Sequence, residues 1–79
     1  MQAPAKARRV ATLWNLTWKD DSLSCVVDRT DGGFRLSIQS SDTVIVSERF
    51  DLEPRVLARA SALRDSLKRR GWSDVISDL

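Results

Sequence analysis

The chain has 79 residues, of which 42% are hydrophobic and 30% charged, and a net charge of +2 at neutral pH. That is one small domain, folded rather than disordered by composition. No apolar run exceeds three residues, as in Val44-Ile45-Val46, far too short to cross a bilayer.

The chain has no histidine and a single cysteine, Cys25. A Ser-His-Asp or Cys-His site cannot be built from it. One thiol without imidazoles does not make a zinc site, and no phosphate-cradling glycine pattern is present. No cofactor, metal or small-molecule substrate is expected, and a noncatalytic protein is. A lone thiol suits a reducing compartment, so the cytoplasm is the expected location. Residues 1–9 have cations but no apolar stretch behind them, and no export signal is read there.

Charge is unevenly placed. Residues 1–11 carry +3, residues 12–51 carry −3, residues 52–72 carry +4 and residues 73–79 carry −2. An anionic partner should therefore meet the N-terminal segment or the later basic segment.

Residues 1–11 lack periodicity and read as a flexible basic arm. From Thr12 apolar residues recur at every second position, the strand period. Trp14, Leu16 and Trp18 form the inward set of a first strand. Lys19-Asp20-Asp21-Ser22 favours a turn through side-chain bonds to nearby amides. Leu23, Cys25 and Val27 then alternate with polar neighbours. Asp31-Gly32-Gly33 predicts a tight hairpin in which glycine supplies a positive φ. Phe34, Leu36 and Ile38 form a third inward set, and Ser40-Ser41-Asp42 a third turn. A fourth strand over 43–49 is expected to point Val44 and Val46 inward and Ile45, Ser47 and Arg49 outward. Connections this short require antiparallel neighbours.

After Phe50 the period becomes 3.6. Asp51 is the expected N-cap, with Glu53 and Pro54 in the first turn. Val56, Ala60, Leu63 and Leu67 make the apolar stripe of a helix, with Leu57 and Arg64 on its margin. Gly71 is expected as the left-handed residue after the helix, with Trp72 folding back on Leu67. The tail, 73–79, is too short for an element to be assigned. The fold class is thus α+β: a four-stranded antiparallel meander followed by one helix on one face (ββββα), spanning residues 12–72.

One helix is about 10 Å across, whereas four strands about 4.8 Å apart span nearly twice that. An incompletely roofed inner face is expected, to be covered by the tail with Trp72, by a second copy or by another protein. Trp14 and Trp18 are either core or contact residues for a partner. With Leu57, Arg64 and Trp72 they form the candidate protein-contact patch. A second candidate is a nucleic-acid surface made of Lys6, Arg8 and Arg9 of the arm with Arg55, Arg59, Arg69 and Arg70 of the helix, spaced by small residues. No aromatic is expected among those cations. Cys25, in step with core residues, reads as an inert buried thiol, and Asp20-Asp21 as solvated turn acids.

Leu13-Trp14-x-Leu16, Cys25 in the next strand, Phe50 before the helix, and Leu63-Arg64 leading to Leu67 and Arg70-Gly71-Trp72 resemble small bacterial single-domain proteins of unknown function that end in Gly-Trp. The resemblance covers about residues 12–72 and implies a bacterial or phage origin. It brings no activity, cofactor or site residue with it. The expected role is a small binding module (regulator, inhibitor or adaptor) acting on a protein partner or as a homodimer, away from membranes. The alternative is a nucleic-acid-binding accessory protein.

Overall fold

A computed structural model describes residues 8–41 and 43–75, with 8–10 as backbone. The elements are β1 (Arg8–Trp18), β2 (Asp21–Thr30), β3 (Gly33–Ser40), β4 (Thr43–Phe50), α1 (Glu53–Arg69) and a short β5 (Ser73–Asp74). They form one antiparallel sheet, ordered β4-β3-β2-β1-β5, followed by a single helix apart from the short last strand. The class is α+β.

Two differences concern the ends. β1 begins at Arg8, not near Thr12, so residues 8–11 are strand and not arm. They pair with β2: Arg8 lies opposite Arg29, Arg9 opposite Asp28 and Ala11 opposite Val27. At the other end, part of the tail adds a strand beside β1, with Asp74 opposite Leu16 and Ser73 opposite Thr17.

The core consists of Trp14, Leu16, Leu23, Cys25, Val27, Leu36, Ile38, Val56 and Ala60, all buried. The expectation that the helix leaves part of the inner face to the tail with Trp72 is met in part: the middle of β1, β2 and β3 is buried under α1, Trp72 packs against that core, and Trp18 at the end of β1 stays 42% exposed. Three physical reasons account for the burial. Trp14 stands up from β1 and its Nε1 donates to the Ala60 carbonyl oxygen at 2.9 Å, so a large side chain spans the gap to the helix. Leu13, Phe34, Phe50, Leu63, Leu67 and Trp72 pack around the rim. The inner face of β4 is only partly apolar, because Glu48 lies opposite Leu36 there.

β4 also departs from simple alternation. A register shift between Ile38 and Gln39 places Val46 opposite Ile38 but Val44 opposite Gln39, leaving Ile45 as the extra residue of a bulge. Val44 is thereby moved to the outer face, where it is exposed, contrary to its expected inward position. On the outer face of the central strands, Val26 and Ser37 lie opposite each other and are buried, each flanked on both sides by a paired strand.

The turns also differ in detail. Thr30 pairs with Gly33, leaving Asp31-Gly32 as the loop. Neither loop residue has positive φ; Gly33 does, at +151°. A Cβ on Gly33 would overlap the Phe50 carbonyl oxygen, so glycine is required by the close approach of the chain leaving β4. The helix N-cap is Leu52, not Asp51, and no side chain caps it. At the other end the expected closure forms: Trp72 N–H donates to Leu67 O and Gly71 N–H to Lys68 O, with Gly71 at φ +114°.

Candidate functional site

The residues expected to meet a protein partner separate into a core residue and two surface regions. Trp14 is 8% exposed and belongs to the core, so it offers a partner no more than one edge. Leu57, 45% exposed, and Arg64 border an open groove with Trp14, Leu13, Asn15, Ala60, Ser61, Asp74 and Val75. The groove has a volume of about 610 Å³. It runs between the edge of β1, one flank of α1 and the tail. Leu13 reaches its wall because β1 shifts register between Thr12 and Trp14, turning Leu13 out of simple alternation.

Arg64 and Asp74 both line the groove, and Lys68 bonds the same Asp74 carboxylate. Arg64 donates from Nε at 3.2 Å and from Nη2 at 2.8 Å to Asp74 Oδ1, and Lys68 Nζ donates to Asp74 Oδ2 at 2.7 Å. The bonds from Lys68 and Arg64 hold the Asp74 carboxyl below the ordinary carboxylate range. Asp74 faces them because it pairs with Leu16, an inward residue, and so shares the helix side of the sheet. Val75 is a tail residue that the sequence offers for packing back on the sheet, whereas Asp74 is missed, because a two-residue strand has no periodicity to read.

Trp18 and Trp72 form the second region. Their ring centroids are 5.9 Å apart and the planes are inclined by 47°. Trp18 was expected to point into the sheet's apolar face, but as the last residue of β1 it lies at the end of the sheet and is 42% exposed. Lys19 Nζ stands 4.7 Å from the Trp18 ring centroid.

The candidate nucleic-acid residues whose side chains are described are spread along α1. Lys6 lies outside the described residues, and Arg8 and Arg9 lie in β1. Arg55 is exposed in the first turn of α1, whereas Arg69 and Arg70 are exposed at its other end. At 1.5 Å per residue those ends are roughly 20 Å apart. Arg59 is not a free cation. Its Nε donates to Glu48 Oε1 at 3.0 Å and its Nη2 to Oε2 at 3.2 Å, a two-bond fork that raises the guanidinium pKa. The strand period carried the signal for Glu48, since it stands two residues after inward Val46.

Cys25 is fully buried, and burial pushes its thiol up to about 11. Among the described residues no group of three or more cysteines or carboxylates is placed to hold a metal ion, and no helix is long and apolar enough to cross a membrane. Comparison with protein-family models, with curated proteins and with solved structures finds no match to this chain.

Proposed function

We propose that this chain is a small noncatalytic binding module, a regulator, inhibitor or adaptor that acts by protein–protein contact. The groove beside β1 carries the reading. Leu57 and Val75 stand 45% and 49% exposed on its two sides, with Leu13 in its wall and the Arg64–Asp74 pair in its lining. Apolar walls with a polar pair suit an extended peptide. Backbone pairing favours the same partner shape. β5 pairs only with Leu16 and Thr17, and Val75 N–H reaches Asn15 O at 3.2 Å. Among the described residues no strand lies beside Arg8–Trp14 on that side, so an added strand finds backbone donors and acceptors there. A buried, protonated thiol in a chain without histidine favours binding over nucleophilic chemistry.

The test compares recovery of protein partners by the intact chain and by Leu57→Asp, under nuclease treatment. Leu57 is exposed, so the variant should fold. A partner that resists nuclease and is lost with Leu57→Asp supports the reading. Partners retained by Leu57→Asp and by Val75→Asp would rule the groove out. Self-association belongs to the same reading. The β4 edge, with Val44 and Ile45 more than half exposed, is its surface, and a dimer by sedimentation that Ile45→Lys dissolves is its mark.

One observation favours a second reading, a nucleic-acid-binding accessory protein. An exposed tryptophan, Trp18, carries Lys19 over its ring and lies against Gly71, the turn residue that follows the basic end of α1, which the sequence did not foretell.

A further inference from the structure

We propose that the Trp18–Trp72 pair, with Lys19, Arg69 and Arg70, is a stacking platform for single-stranded nucleic acid. The inference rests on the second reading and moves the contact from the arm and the helix row to the end of the sheet.

The platform is built rather than incidental. Gly71, at φ +114°, brings the turn after α1 against the indole of Trp18, and a Cβ there would lie 3.4 Å from Trp18 Nε1 and 3.7 Å from Cδ1. The Trp72 N–H bond to Leu67 O at 3.1 Å fixes the backbone that carries the second ring. Two indoles are thus held in a set relation while Trp18 keeps 42% of its surface in solvent. A pre-positioned ring loses little conformational entropy when a base stacks on it.

The surroundings select the ligand. Lys19 over the ring shows a π-face open to a cation, and its flexible stem lets the ammonium swing to a phosphate when a base takes its place. Arg69 and Arg70 are exposed next to Gly71, and with Lys19 they have no carboxylate partner among the described residues. The cations nearer the groove and β4 are already engaged: Arg64 and Lys68 by Asp74, and Arg59 by Glu48. A protein hot spot sets tryptophan in an apolar pocket. Here the exposed aliphatics lie on other elements: Val44 and Ile45 on β4, Leu52 and Leu57 on the first half of the helix segment, and Val75 in the groove. Asp20 shares the turn with Lys19 and Asp21 opens β2 opposite Trp18, so phosphate contacts are few and stacking must supply much of the affinity. Stacking requires bases with free faces, which a duplex does not offer.

The test is a titration of the full chain, followed by indole fluorescence, with four probes: oligo(dT), an abasic strand of the same length, the matching duplex, and heparin. The comparison variant is Trp18→Leu, which keeps an apolar side chain but removes the π-face; circular dichroism checks its fold. Oligo(dT) should quench the emission and bind tighter than the abasic strand and the duplex. Trp18→Leu should weaken oligo(dT) binding by about 5- to 150-fold, the range for one stacked base. With three phosphate contacts, log affinity should fall with log salt at a slope of about −2. Equal binding of the abasic strand and oligo(dT), unchanged by Trp18→Leu, would overturn the platform while leaving a polyanion-binding protein. Binding to none of the four probes at low salt would overturn the platform and the nucleic-acid reading together. A nuclease-resistant protein partner lost with Trp18→Leu, with oligo(dT) binding intact, would also overturn the platform and assign the pair to protein contact.

Discussion

Trp14 and Ala60, 46 positions apart in the chain, are joined by a buried 2.9 Å hydrogen bond from the indole Nε1 to the helix carbonyl oxygen. The bond fixes where the helix sits over β1. It also explains how the largest side chain of the core is buried with its polar atom satisfied.

Replacing Trp14 with Phe should therefore cost about 1–2 kcal/mol, from the lost bond and reduced packing. Trp14→Ala should cost about 3–5 kcal/mol, enough to unfold much of the population of a small domain. Urea denaturation followed by far-ultraviolet circular dichroism measures both. Equal stability of Trp14→Ala and the parent would contradict the core position.

The two glycines of the second hairpin should behave differently. Gly33→Ala places a Cβ against the Phe50 carbonyl oxygen at a φ of +151°, so the loss should exceed about 1 kcal/mol. At Gly32 the nearest atom to an added Cβ is an Arg49 side-chain nitrogen at 4.0 Å, and φ is not positive. Gly32→Ala should be neutral or slightly stabilising. Paired thermal melts decide the matter, and a reversed order of stabilities contradicts the close approach.

The clasp on Asp74 sets a pH dependence. Its carboxyl is lowered in the folded protein by Lys68 and Arg64. Its contribution is therefore present above the unfolded value near 3.8 and is lost as pH falls through the folded value. Acidification below that value should release the tail from β1. Because Trp72 lies between α1 and β5, indole emission should report the step, and Asp74→Asn should abolish it. An acid transition identical in Asp74→Asn would show that another group controls it.

Cys25 should react slowly with a thiol reagent at neutral pH. It is fully buried and its thiol is pushed up to about 11, so little thiolate exists and little of it is reachable. The sign at alkaline pH is the opposite of that for Asp74. A raised folded value stabilises the protein below the unfolded value near 9.0, and the stabilisation fades as pH rises through the folded value. Labelling should be fast in urea and slow without it. Equal rates would place Cys25 at the surface.

Much of the fold is legible in local pattern. Period-two runs over Trp14-Leu16, Leu23-Cys25-Val27 and Phe34-Leu36-Ile38 mark the inward faces of three strands, because side chains alternate sides of a pleated backbone. Gly71 and Trp72 announce the helix end, because only a left-handed residue lets the chain fold back on Leu67. The candidate sites were much less legible. Val44 and Val46 look alike in sequence, and the bulge at Ile45 sends them to opposite faces. Arg55 and Arg59 look alike, and among the described residues only Arg59 meets a carboxylate.

Composition and contacts between near neighbours along the chain set the reagents and the elements: no imidazole, one thiol, four main strands and a helix. Tertiary structure decided which side chains remain in water. It put Trp14 under the helix, left Trp18 beside Trp72, tied Arg59 to Glu48, and drew Asp74 beside β1. Those outcomes depend on register, bulges and the lateral seat of the helix, which arise from packing between residues distant in the chain and leave no period to read.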